Sequence, residues 1–244
     1  MTTRLDIEYD GSAFFGWARQ HATRTVQGEL ERALGVLAHE PVLLTAAGRT
    51  DRGVHATGQV ASYGGAPVSL HSFNSILPKD VVVRSCREVA PGFDARHDAV
   101  ARSYEYRVLH RRERPVFERG HVLWWPHRLD VGLLHACAAL LVGRHDFTAF
   151  TPTETLHRHF HREVLAAAWE AERDLLCFRI EADAFLRTMN RVLVGTMLQV
   201  ATGRRTVESF GQLLLGAPRE QAGPTAPAHG LYLAGVRYPD EDAA

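Results

Sequence analysis

Two hydrophobic periods alternate along this chain, and their order restricts the fold more than any single motif does. A two-residue period marks a half-buried strand and a period of three to four marks a helix. Arg4 to Asp10 alternates as a strand. Val26, Leu30, Ala33, Leu34 and Leu37 then recur at helical spacing, with Thr25 placed to cap the helix and Glu29 and Glu31 in its first turns. Strands are expected near 42–46 and 58–63, a short helix near 69–77 ended by Pro78, and strands at 81–89 and 100–109. The second half repeats the order: strand 120–125, helix 130–142, strands 163–171 and 175–182, helices 185–202 and 206–215, and strand 231–237. Each half approximates β-α-β-β-α-β, although no residue-level repeat accompanies it. The expected fold is α+β, with two related βαββαβ-like domains whose largely antiparallel sheets are flanked by helices. The boundaries are 1–105 and 106–244, joined near 105–118 by the arginine-rich stretch Arg107 to Arg114. Asp240, Glu241 and Asp242 read as a frayed acidic end.

With 244 residues, 45% of them hydrophobic, the chain can bury a substantial core. Every apolar run is broken by charge or glycine well before it could span a bilayer, and Met1 to Asp6 carries no apolar signal segment. A cytoplasmic location and no membrane partner are therefore expected. Cys86, Cys137 and Cys177 are isolated and lack any C-x-x-C spacing, so they read as buried thiols rather than as a disulfide framework or zinc knuckle. Formal charge is zero, but residues 106–162 carry nine basic against five acidic side chains, a net of +4, together with eight of the fourteen histidines. Of the 28 basic residues only Lys79 is a lysine. Guanidinium groups suit bidentate phosphate contacts and stacking on bases, while genome composition can produce the same bias. Charge permits an RNA partner without requiring one.

Ala47-Gly48-Arg49-Thr50-Asp51-Arg52-Gly53-Val54-His55 sets one carboxylate between two arginines inside a glycine-punctuated turn. Neighbouring guanidinium groups favour the ionised, nucleophilic form of Asp51, and Gly48 and Gly53 allow positive φ or a close backbone approach to a ligand. The same residues also describe a surface turn with local ion pairs. In Arg102-Ser103-Tyr104-Glu105-Tyr106-Arg107, alternation puts Tyr104, Tyr106 and Val108 on one strand face and Ser103, Glu105 and Arg107 on the other, a pattern that ordinary sheet packing also produces. Phe185 to Gly195 reads as an apolar helix bearing Arg187 and Arg191. An arginine buried there needs a carboxylate to offset its desolvation, and Asp51 is a candidate. Leu231, Tyr232 and Leu233 read as a core strand. His157-Arg158-His159-Phe160-His161 lacks ligands at recognised metal spacings and reads as a basic surface loop.

Taken together these blocks resemble the tRNA pseudouridine synthase A family. The resemblance rests, in order, on Tyr9-Asp10-Gly11-Ser12, Phe15-Gly16-Trp17, Thr25-Val26-Gln27, Ala47 to Asp51 with Gly53-Val54-His55 and Gly58-Gln59-Val60, and Phe93-Asp94-Ala95-Arg96. It continues through Gly143-Arg144-His145-Asp146-Phe147, Phe185-Leu186 with Met189 and Arg191, and Ala226 to Leu233. It implies isomerisation of uridine to pseudouridine in the anticodon stem-loop of tRNA, at positions 38–40 expected from the family, by a homodimer that uses neither cofactor nor metal. The active-site cleft is then expected between the two domains.

Carried over residue by residue, the resemblance makes Asp51 the nucleophile, Tyr104 the tyrosine that stacks on the target uracil and Arg191 the basic partner of Asp51. Arg49 would hold the space vacated by the extruded nucleotide, and Arg52 and His55 in the same block are expected to contact substrate. Ala18 departs from the family's usual glutamine, and Asn190 and Val192 stand where Val and Asn are commoner. The chemistry fits: the C1′–N1 bond must break and a C1′–C5 bond form, so the base has to leave the stack and be gripped by its face. A uracil-releasing hydrolase and a non-catalytic tRNA-binding protein remain as alternatives. The first lacks an evident second catalytic carboxylate, and the second leaves the set Asp51, Tyr104 and Arg191 without a use.

Overall fold

The computed structural model describes residues 1–155 and 157–239, so the acidic end at 240–242 lies outside the described residues. Two compact units divide the chain. One holds residues 1–102 with the closing stretch from Tyr232, and the other holds Ser103–Leu231.

In the first unit β1 (Thr2–Tyr9) lies between two antiparallel neighbours, β3 (His55–Gly64) and β4 (Val81–Val89). Alternation places Leu5, Ile7 and Tyr9 in the core, each at most 3% exposed. Helix α1 (Val26–Ala38) follows β1, and Thr25 caps it by accepting from the Gly28 N–H. Its buried stripe, Val26, Leu30, Ala33 and Leu34, follows the spacing, and Leu37, expected to continue it, is half-buried. Helix α2 (Leu70–Ile76) starts at the Ser69 cap and stops before Pro78, whose ring disfavours helical geometry in the residue before it.

The strand expected at 42–46 is only β2 (Thr45–Ala46), paired with Ala61 and Ser62 of β3. Leu44 is instead drawn to α1, where its N–H donates to the buried Glu31 carboxylate at 3.0 Å. The closing strand, β10 (Leu231–Arg237), runs parallel to β3, with Tyr232 opposite His55 and Leu233 opposite Ala56. The expectation grouped residues 106–244 as one domain. A sequence period reveals a strand but not its partner, and the pairing of β10 with β3 groups Tyr232 onward with the first unit.

The second unit contains β5 (Ala101–Leu109) from Ser103 onward, β6 (Leu123–Trp124), α3 (Val131–Ala139), β7 (Gly143–Asp146), β8 (His161–Glu172), β9 (Leu175–Ala182), α4 (Met189–Ala201) and α5 (Val207–Gln212). Its strands run in the order β5-β9-β8-β7, with β6 beside β5. The β7–β8 and β8–β9 pairs are antiparallel and β5–β6 is parallel. Strand β7 escaped the period reading because Gly-Arg-His-Asp has no apolar alternation. Helix α4 is buried around most of its circumference, from Met189 and Asn190 through Val192–Leu198 to Val200 and Ala201.

The helix expected from 185 begins only at Met189, because Thr188 takes a left-handed φ of 59°. Arg187 therefore precedes α4 and is exposed. Arg158 and His159 are exposed, as a surface loop requires, while His161, expected in the same loop, is the exposed first residue of β8. Cys137 and Cys177 are buried thiols, whereas Cys86 is half-buried. Among the described residues no helix is long and apolar enough to cross a membrane.

Candidate active site

In the first unit the turn carrying Asp51 leaves β2 and is fixed on three sides. Beneath it the Ala47 N–H donates to Val60 O at 2.9 Å and Gln59 Nε2 donates to Gly48 O at 2.6 Å. Ala47 packs with Val60, Ala95 and Tyr238 in a small core. Arg102 ties the same base down by donating to Ala47 O, Ala99 O and Arg96 O. The Phe93 to Arg96 block thus has a structural use: Asp94 accepts from the N–H groups of Arg96 and His97, while Ala95 bonds Ser62 and Tyr238.

From the other side the Tyr9 hydroxyl and Thr50 Oγ1 share a buried hydrogen bond of 2.7 Å, and the Trp17 N–H donates to Thr50 O at 3.0 Å. Burial pushes the Tyr9 phenol well above its ordinary pKa, against the pull of its bonds to Thr50 and Gln59, so it stays neutral. The turn closes with Val54 N–H donating to Asp51 O at 3.1 Å, and Gly53 supplies the positive φ (77°) expected of it.

Asp51 itself is half-buried, and its two arginines face outward. Arg49 is exposed. The Arg52 guanidinium carbon lies 4.1 Å above the centroid of the Phe15 ring, an exposed cation–π pair directly beside Asp51. Nothing in the sequence marks Phe15 as functional beyond its place in the Phe15-Gly16-Trp17 block. His55 is 1% exposed, stacked on Tyr232 with centroids 4.7 Å apart, and its Nδ1 accepts from the Gly11 N–H at 3.0 Å. Asp10 Oδ1 lies 3.1 Å from that nitrogen and competes for it only when the imidazole is protonated.

The second unit positions Tyr104 and Arg191. Tyr104, Tyr106 and Val108 take the buried face of β5, as alternation predicts. Tyr104 is 8% exposed and meets Phe185 edge-on, with centroids 4.8 Å apart and planes at 72°. On the opposite face Glu105 bonds Arg107 at 2.6 Å and Arg179 at 3.0 Å. Burial raises the Glu105 pKa, but the two guanidinium groups outweigh it and hold the carboxyl below its ordinary range.

Arg191 lies in the first turn of α4 and is clamped to the segment before β10. Its Nε donates to Ala226 O at 2.7 Å, and its own carbonyl accepts from the Ala226 N–H at 3.0 Å. One residue on, the Tyr106 hydroxyl donates to Pro227 O at 2.8 Å. Burial drives the Tyr106 pKa up while the Arg191 charge pulls it down. Beside Arg191, the Asn190 Oδ1 is buried without a hydrogen-bond partner among the described residues. Each unit thus assembles its own set: Asp51, Arg49, Arg52 and His55 in the first, and Tyr104, Phe185 and Arg191 in the second.

The family profile described as tRNA pseudouridine synthase matches residues 7–94 and 137–239. The tRNA pseudouridine synthase A of Aeromonas salmonicida (strain A449) is 40% identical over 99% of this chain and 91% of its own length. The enzyme of that name from Geobacillus kaustophilus is 41% identical over 99% and 96%, and the one from Methylococcus capsulatus is 41% identical over 99% and 91%. A solved Cbf5-Nop10-Gar1 complex aligns with 80% of this chain and 53% of its own at a TM-score of 0.36 and 10% identity, a likeness too low to inform the fold.

Proposed function

Because this chain belongs to the tRNA pseudouridine synthase family, we propose that it converts uridine to pseudouridine in the anticodon stem-loop of tRNA, with Asp51 as nucleophile. Membership makes the protein an isomerase acting on uridine in tRNA. The choice of stem-loop and the residue roles are our reading, and one observation carries it. The only carboxylate in the Gly48 to His55 block stands on a turn held rigid by Tyr9, Trp17 and Gln59. Such a mount suits a group that must meet one carbon of an extruded nucleotide in a fixed geometry.

Asp51 attacks C1′ or C6 of the target nucleotide, or offsets positive charge as the C1′–N1 bond breaks. The detached uracil turns, C5 bonds to C1′, the proton on C5 leaves and N1 gains one, so atoms balance without a cofactor or metal. Tyr104, kept from turning by Phe185, stacks on the ring through the transfer and is placed to assist proton removal from C5. In this reading Arg191 is the basic partner that orients the Asp51 carboxylate during the reaction. Arg49 occupies the gap in the RNA, and Arg52 contacts the neighbouring backbone. His55, expected from the sequence to contact substrate, is instead buried against Tyr232 and acts by positioning the Gly11 loop and β3.

The same reading has the protein working in the cytoplasm as a homodimer, so that one protomer holds the tRNA body while its partner modifies it. A monomer that retains full activity on dilution would remove the dimer from this account.

Incubating unmodified tRNA with the wild type and with Asp51→Asn, then mapping pseudouridine by chemical labelling and primer extension, tests the reading. Label in the stem-loop from the wild type alone is the expected result. Label from the mutant at the wild-type rate overturns the role of Asp51, and a fall in RNA mass would reveal base release instead of isomerisation.

A further inference from the structure

The roles assigned so far leave the arginine-rich stretch after β5 unused. It forms an irregular loop between β5 and β6 and rims an open groove of about 540 Å³ whose walls include Arg114, Val116, Arg119, Trp124 and His229. A space of that size lies within the usual range for a small-ligand site. Three features of its lining define what it takes.

The first is unspent positive charge. Arg111 reaches Glu118 at 4.0 Å, but Arg114 and Arg119 are exposed and make no ion pair among the described residues. The second is exposed apolar surface beside that charge: Trp124 is 38% exposed and Val116 is 62% exposed. Trp124 Nε1 donates to Arg111 O at 3.0 Å, which fixes the indole plane while part of the side chain stays open to solvent. The third is location. His229 sits at the inner wall, where burial first, and then the charges of His121 and Arg191, hold its pKa below the usual imidazole value against a bond with the Val122 main chain. Three residues before His229, Ala226 is clamped by Arg191, so only a few residues of chain separate the groove from Arg191 in the same unit. Cationic side chains beside a rigid aromatic plane are the elements with which proteins hold single-stranded RNA, the cations taking phosphate and the ring taking a base.

We propose that this groove binds one unpaired RNA nucleotide near the target uridine, its phosphate held by Arg114 and Arg119 and its base stacked on Trp124 with Val116 alongside. The proposal rests on the reading of the protein as a tRNA-modifying enzyme and adds a second nucleotide to what it grips.

Equilibrium binding of anticodon stem-loop RNAs, each abasic at one loop position, tests it with the wild type, Trp124→Ala and Trp124→Phe. At one position other than the target, loss of the base weakens wild-type binding about tenfold, weakens Trp124→Phe similarly, and costs Trp124→Ala nothing further. A misfolded or merely weakened variant would not erase the penalty at a single position. The pair Arg114→Gln with Arg119→Gln, which releases that one phosphate, lowers the slope of log affinity against log salt by about 0.7. Arg87→Gln, exposed on β4, leaves the slope unchanged. Abasic penalties that add to Trp124→Ala at every position, or an unchanged slope in the double variant, overturn the proposal. Wild-type protein that binds the stem-loop in this way yet forms no pseudouridine would instead sink the functional reading and leave the groove standing.

Discussion

Gly16 lies so close to Thr50 that a methyl carbon on its Cα would sit 2.8 Å from the Thr50 carbonyl oxygen and 3.3 Å from the Arg52 nitrogen. The loop of Phe15 to Trp17 and the turn of Asp51 are in effect one rigid body. Gly16 also has a φ of 97°, which an L side chain adopts only with strain.

Gly16→Ala should accordingly lose about 2–4 kcal/mol of stability, the strain and the overlap together. Because relief comes by pushing Thr50 outward, pseudouridine formation should fall more than tenfold even at temperatures where the variant remains folded. Urea unfolding and single-turnover assays on the same preparation would check both. A stable variant with full activity would show that the two loops are not coupled.

Arg191→Lys tests the clamp on Ala226. Lysine keeps the charge but cannot both replace the Nε–H bond to Ala226 O and present a planar fork to a carboxylate. The expected result is a fall in kcat of about a hundredfold or more with a loss of about 1 kcal/mol in stability. Equal kcat for the two proteins would mean that only the positive charge matters.

At alkaline pH the fold should weaken for a definable reason. Burial raises the pKa of Tyr9 and Tyr106 well above the ordinary phenol value and pushes Tyr63 up to about 12. In the unfolded chain all three ionise near 10, so their stabilising contribution is complete below that pH and is lost as pH rises through the folded-state values. Melting temperature should hold steady through pH 9 and decline beyond about 10, with tyrosinate absorbance appearing together with unfolding. Absorbance that rises smoothly before any unfolding would mean that these hydroxyls are not sealed.

Much of the architecture could be read from period alone, since α1, α2, β4, β5 and β9 fall within a few residues of where alternation and capping put them. The departures have local causes. Four polar residues make β7, Thr188 turns left-handed and trims α4, and Leu44 prefers the Glu31 carboxylate to a strand. The turn around Asp51 was legible because glycine and arginine surround a lone acid. Phe15 under Arg52 was not, for a cation–π pair joins residues 37 positions apart and leaves no spacing to detect. The burial of His55 was equally hidden, since it depends on a Tyr232 ring supplied from far along the chain.

That supply has a cost during synthesis. β3 leaves the ribosome with one edge waiting for β10, and residues 103–231 must be translated before the strand that covers it exists. At ~5–20 residues per second the delay is on the order of ten seconds. Throughout it the start of β3, at His55 and Ala56, lacks its parallel partner, so the first unit closes only after the whole of the second has been made.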